Sequence, residues 1–168
     1  LHLLSRRQRQ MCIRDREERR SIRKFDPEKK VTADQIKEII NAAIQAPSWK
    51  NSQTTRYYAV VTPEKIEAFS AACLPEFNQK SAAGAALVVT TFVKDRSGFD
   101  QEGNPNNEVG NGWGYYDLGL HDENFILKAR DLGLDTLIMG IRDEKAIREF
   151  LSIPEEELLG SVIAVGYR

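Results

Sequence analysis

The chain has 168 residues, 41% hydrophobic and 29% charged, with a net charge of −1. That is room for one domain with a core of its own. No apolar run approaches the roughly 20 residues of a membrane-spanning helix, and a mildly acidic chain lacks the broad cationic surface that nonspecific nucleic-acid binding needs.

Two cysteines, Cys12 and Cys73, and two isolated histidines, His2 and His121, offer neither a disulfide framework nor metal-ligand spacing. A reducing cytoplasm is the expected setting. Charge is unevenly spread. Residues 1–16 carry five Arg and one Asp, a net of +4, so the remainder carries −5. That opening segment is Arg- and Gln-rich without apolar periodicity and reads as non-native or disordered, leaving 17–168 as a single domain.

The domain begins with RRSIRKF, residues 19–25, which places Arg19, Arg20, Arg23 and Lys24 around Ser21. Thr32 and Gln35 make a capping-box signature, followed by Ile36, Ile39, Ile40, Ala43 and Ile44 at helical spacing up to Pro47. Residues 55–62 are rich in aromatic and β-branched side chains and predict a strand. Thr62-Pro63-Glu64 starts a second helix striped by Ile66, Phe69 and Cys73. Residues 77–86, with Asn78 and Lys80, read as a surface turn. Residues 86–93 are almost continuously apolar, as a central strand covered on both faces should be. Residues 94–114 are polar and rich in Gly and Asn, which predicts a long loop. A helix is expected from about 115 to 132, a buried strand over 135–141, a helix capped by Asp143, and a last strand over 160–167.

Four strands among about five helices make a layered α+β or α/β domain. Phosphate-loop and metalloprotease signatures are missing, and the Gly-rich 110–114 follows a polar loop rather than a strand, so it is no dinucleotide fingerprint. With few side-chain nucleophiles or bases, any chemistry falls to a cofactor.

Four stretches could build its site. RRSIRKF offers guanidinium forks and a hydroxyl suited to a phosphate, or else a solvated charge run. Residues 46–53 offer Ser48, Asn51 and Gln53 at a helix-to-strand junction, or else plain punctuation. Asn78 precedes the central strand. The strand into Gly140 allows close backbone approach, or is simply core.

In this order and spacing, the four resemble the flavin-dependent nitroreductase family over 17–168. The most specific parts are Arg19-Arg20-Ser21-x-Arg23, Ala46-Pro47-Ser48-x-x-Asn51-x-Gln53, Gly133-Leu134-Asp135-Thr136 through Gly140, and the Val162–Tyr167 ending. The resemblance implies an α+β fold: a three-layer α/β/α sandwich with a mixed central sheet, forming an intertwined homodimer with FMN at the interface. Arg19, Arg20, Ser21 and Arg23 would hold the phosphate and ribityl chain. Pro47, Ser48, Trp49, Asn51 and Gln53 would face the flavin from the other subunit. Asn78 would touch its pyrimidine edge, and the backbone of Leu137, Ile138, Met139 and Gly140 would run along it, with an N–H near Met139 facing N5. NADH or NADPH would deliver hydride to the flavin, and a nitroaromatic, quinone or enone-like acceptor would remove it in a ping-pong cycle. That cycle needs no metal and no side-chain acid or base.

Two other readings remain for the same residues: a flavin-binding store or sensor, and a small interaction module whose basic run meets an acidic partner. The chain also departs from the family pattern. Thr54-Thr55 stand where Pro-Trp is common, and Trp49 where small residues are frequent. Asp15, Arg16, Glu17 and Glu18 occupy much of an expected amphipathic helix. The family's further basic segment and tail, expected beyond Arg168, would add a phosphate contact and dimer contacts; their loss implies weaker FMN affinity.

Overall fold

A computed structural model describes Ile13 and residues 15–168; the expectation for the opening segment falls mostly outside the described residues. Helix α1, Ala33–Ala43, starts where the capping box puts it. Thr32 Oγ1 accepts the Gln35 N–H at 3.2 Å and Gln35 Oε1 accepts the Thr32 N–H at 3.0 Å. A single 3₁₀ turn, Trp49–Asn51, leads into β1, Thr55–Val60. Then come α2, Pro63–Cys73; α3, Glu76–Ala82; and β2, Ala86–Val93. Helix α4 is Gly112–Asp131, β3 is Asp135–Met139, α5 is Glu144–Leu151 and β4 is Glu157–Gly166. Asp143 caps α5 by accepting the Ala146 N–H at 3.0 Å.

Two boundaries depart from the sequence expectation. The stretch read as a surface turn forms α3. Helix α4 begins inside the Gly-rich 110–114 rather than after it. The second departure has a packing cause. A Cβ on Gly114 would stand 2.1 Å from the ring of Phe92, which is fully buried. Glycine lets the first turn of α4 lie directly on β2, and that contact overrides glycine's poor helix propensity.

The strands run in the order β1-β2-β4-β3, every neighbour antiparallel. What makes the sheet mixed is one parallel bridge, Ser21 with Thr136, at the outer edge of β3. Both faces are covered, giving the three layers. Leu87, Val89, Val162, Ala164, Leu137 and Met139 face α2 and α5 through Phe69, Cys73 and Ile147. Ala86, Val88, Ile163 and Val165 face α1 and α4 through Ile36, Ile39, Phe125 and Ala129. Each large apolar side chain buried this way contributes about 1.5–3 kcal/mol.

The basic segment is tied down along its length. Ile22 N–H donates to Thr136 O at 3.0 Å and Asp26 N–H to Tyr167 O at 2.7 Å. Between them Phe25 is buried against Gly166, where a Cβ would come 2.7 Å from its ring. Arg130 bridges Glu18 and Asp135, each at 3.3 Å, and Arg168 reaches Asp135 at 3.1 Å.

Gly114→Ala should therefore destabilise the fold. Overpacking costs about 1–3 kcal/mol, against roughly 1 kcal/mol of helix propensity regained. Urea unfolding of the variant and the parent measures it, and an unchanged midpoint would mean Phe92 yields freely.

Candidate functional site

The residues singled out in the sequence gather at two places. One is the outer edge of β3. Ser21 bridges Thr136, so the four cations of RRSIRKF start one strand away from Leu137–Gly140. Arg20 Nη1 donates to Glu17 O at 2.7 Å and to Arg19 O at 2.6 Å, which fixes its fork near the backbone. Among the described residues, Arg19, Arg20, Arg23 and Lys24 have no carboxylate partner. Asn78 reaches the same neighbourhood from α3. It is buried, and its Nδ2 donates to Ile141 O at 2.7 Å.

Strand β3 ends the sheet, so one row of its backbone groups faces outward. Thr136 O points outward, since it takes the Ile22 N–H. Backbone direction alternates along a strand, so the next outward N–H belongs to Ile138, whereas Met139 turns its N–H toward β4. The outward N–H of Ile138 is adjacent to Met139, where the sequence reading expects one. The side chains divide the same way. Leu137 and Met139 are core, while Ile138 is 48% exposed. Gly140 follows, and a Cβ there would meet nothing within 4 Å. Ile138 and Ile141, and Phe77 on α3, are exposed apolar side chains.

The other place is the loop before β1. Three of its residues lie in the left-handed region that side chains disfavour: Lys50 at φ 46°, Asn51 at 56° and Gln53 at 51°. Each such residue costs on the order of 1 kcal/mol, so something must hold the loop. Asp117, buried on α4, does so. Its Oδ2 accepts the Trp49 N–H at 2.9 Å and the Ser97 hydroxyl at 2.6 Å. Ser97 Oγ lies 2.8 Å from Ser52 Oγ and 3.3 Å from Thr54 Oγ1. Ser48 Oγ accepts the Gln53 N–H at 3.0 Å, and Asn51 Oδ1 accepts from Gln53 Nε2 at 3.3 Å. Pro47, Asn51 and Gln53 are exposed. Trp49 packs on Trp113, ring centroids 4.6 Å apart. Two of the family departures find roles here: Thr54 joins the Ser97 network and Trp49 completes an aromatic pair.

Asp117, Ser97 and Trp113 were not legible as site-building residues. In sequence Asp117 is one more acid beside Leu118, and Ser97 is one more loop hydroxyl. Helix α4 carries a second buried carboxylate, Asp122, within 3.3 Å of the Tyr57 hydroxyl on β1. Burial pushes its pKa up to about 7, opposed by hydrogen bonds from Tyr57 and Thr90.

The structure does not bring the two places together within one chain. The loop feeds β1 and the cations lie along β3, at opposite edges of the sheet. Three strand spacings, roughly 14 Å, separate them.

The nitroreductase family model matches residues 17–100 and 77–167. An Archaeoglobus fulgidus protein, provisionally named an NADH dehydrogenase/NAD(P)H nitroreductase, is 30% identical over 165 residues, covering 93% of this chain and 84% of its own length. A crystal structure described as an FMN-containing oxidoreductase superposes with a TM-score of 0.76 at 27% identity, covering 93% of this chain and 75% of that one. The enone reductase CLA-ER, of gut-bacterial fatty acid saturation, shares the fold at 22% identity and a TM-score of 0.74, with 92% and 87% covered. The chain belongs to the nitroreductase family.

Asp117→Ala removes the acceptor for two donors at once. The 48–53 loop should then become accessible to limited proteolysis while α4 stays folded, and a cleavage pattern like the parent's would clear Asp117 of that role. Asp122 gives a pH test. Its folded pKa lies above the ordinary 3.8. The folded state therefore keeps a proton that the unfolded chain releases, and stability falls as pH rises from about 4 toward 7. Asp122→Asn should flatten that slope, so the variant gains on the parent between pH 5 and pH 8. Parallel unfolding curves at both pH values would contradict the assignment.

Proposed function

We propose that this chain is an FMN-dependent oxidoreductase that passes hydride from NADH or NADPH to an organic acceptor, a nitroaromatic, quinone or enone-like compound, by a ping-pong cycle. The site is built between two copies of the chain. One observation supports this reading most. The motif residues split between opposite edges of one sheet, so one ligand meets both sets only if a second copy brings its 48–53 loop to the β3 edge of the first.

The residues at that edge fit FMN. Arg19, Arg20 and Arg23, without carboxylate partners among the described residues, together with Ser21, are the donors a phosphate dianion takes; each charge-assisted bond contributes about 1.5–3 kcal/mol. Ile138 offers an outward backbone N–H where negative charge has to be stabilised, and Gly140 keeps the approach open. Asn78 has its Nδ2 committed to Ile141 O, which leaves its carbonyl oxygen for a ligand N–H. Ile138, Ile141 and Phe77 offer apolar area for a flat ring or a partner surface. From the other copy, Ser48, Trp49, Asn51 and Gln53 form a loop whose shape Asp117 maintains, and Trp49 with Trp113 walls the space above it. Bound FMN supplies the hydride transfer itself, which is why none of these residues needs to be a proton donor. The FMN of a 27%-identical structure and the NAD(P)H in the name of a 30%-identical relative agree with this reading.

The purified protein should be yellow and should bleach on anaerobic addition of NADH or NADPH, recovering colour with a quinone or nitroarene. Arg20→Ala and Ser21→Ala should each lose FMN on gel filtration. Gly140→Ala should do the same with an unchanged unfolding midpoint, because its Cβ meets nothing in the chain itself. Colourless protein that takes up no added FMN would end the proposal.

A further inference from the structure

The 48–53 loop has a second side. Behind it lies a cavity of about 500 Å³ between the loop, the start of β1 and the turn after β2. Lys50, Arg56 and Arg96 line it, with Thr54, Phe99 and Asp100. Three cations share this space with one acid. Asp100 is committed to its own turn: its carboxylate accepts the Asn104 N–H at 2.8 Å and the Asn104 side chain at 3.3 Å. The Asn104 N–H is also what chiefly holds its pKa below the usual carboxylate value. It therefore stays charged and points at the turn rather than at the cations.

None of the three cations has a carboxylate partner among the described residues. Arg56 Nη1 donates to Gln53 O and Thr55 O, both at 2.8 Å, which aims its guanidinium along the loop and leaves the other nitrogens unpartnered. Lys50 is presented from a left-handed backbone and lies 6.0 Å from the Trp49 ring centre. A net excess of positive charge gathered in a concave place, on a chain that is negative overall, attracts anions.

We infer that this cavity is an anion subsite for a substrate of the adjoining flavin site, taking a phosphate monoester or carboxylate that the substrate carries away from its reacting end. Its placement beside the reaction rests on the function proposed above; its charge and shape do not. Two sources supply such a group: the ribose 2′-phosphate of NADPH, and a carboxylate on the acceptor. A 2′-phosphate would make the enzyme select NADPH over NADH. A carboxylate would make it select acidic acceptors over neutral ones of the same ring system.

The chain's two tryptophans, Trp49 and Trp113, stand together next to Lys50, so their fluorescence reports occupancy without any turnover. The protein as purified is titrated with 2′,5′-ADP, with adenosine and with benzoate. Saturable change with 2′,5′-ADP but not adenosine assigns the nicotinamide source. Saturation with benzoate assigns the acceptor source, and saturation with both supports the shared chemistry. Lys50→Gln and Arg96→Gln should each weaken binding by about three- to tenfold. Lys145→Gln, an equal charge change at an exposed α5 residue that does not line the cavity, should leave it unchanged. In steady-state assays the same two variants should raise KM for NADPH or for 4-nitrobenzoate, whichever source the titration names, and leave KM for NADH and 4-nitrobenzamide alone. No saturable signal with any probe, or equal weakening in Lys145→Gln, overturns the subsite. The two readings fail separately. Yellow, active protein without anion binding removes only the subsite, and colourless protein that binds 2′,5′-ADP through Lys50 and Arg96 removes only the flavin.

Discussion

Strand β4 is the constraint on which the rest depends. It pairs with β2 on one side and β3 on the other, and its Val162, Ile163, Ala164 and Val165 are fully buried. It follows the other three strands in sequence yet lies inside the sheet, so the sheet closes only once residues 157–166 are in place. Its insertion drives β3 to one edge while β1 holds the other. That order sets where each motif can go. The basic segment is added to the free edge of β3 by one N–H to Thr136 and by Phe25 under Gly166. The polar loop is fed into β1 on the far side. The stretches singled out in the sequence therefore end at opposite edges of one sheet.

The two places are held in different ways. At β3 the support is electrostatic and covalently close: Glu18, Arg130, Asp135 and Arg168 form a chain of charges beneath the segment, with the Asp135 side chain almost fully buried between two guanidiniums. A buried carboxylate with two partners tolerates little displacement, because losing either one leaves charge desolvated. At the loop the support is a hydrogen-bond hub. Asp117 and Ser97 hold a backbone that three left-handed residues make intrinsically unfavourable. Strain of this kind persists only where the surroundings over-determine it, and here they include Asp117 on α4, the Ser97 hydroxyl, Ser48 within the loop and Arg56 on β1.

This division explains what the sequence disclosed and what it did not. Local rules carried the elements whose causes are local: the Thr32–Gln35 box for α1, Pro63 for the start of α2, the apolar run of β2, the Asp143 cap of α5. The phosphate-suited run and the Pro-Ser-x-x-Asn-x-Gln loop were visible because their chemistry lies in adjacent residues. The start of α4 was not, because the reason glycines open a helix there is the ring of Phe92, about twenty positions away in the chain. Asp117 was hidden for the same cause, since an acid on a helix looks solvated until the loop it holds is seen. The identity of the outward N–H on β3 required a register, and a register is a property of pairing rather than of sequence.

Two of the departures from the family pattern fall in one place. Trp49 and Thr54 are both in or beside the 48–53 loop, next to Lys50. Trp49 packs on Trp113, whose seat is shaped in turn by Gly98, at φ 86° and with no room for a Cβ beside that indole. Thr54 ties the loop to Ser97, and Lys50 faces the basic cavity. The loop side thus carries its own aromatic pair and its own cations, apart from the charged cluster that ties down the β3 edge.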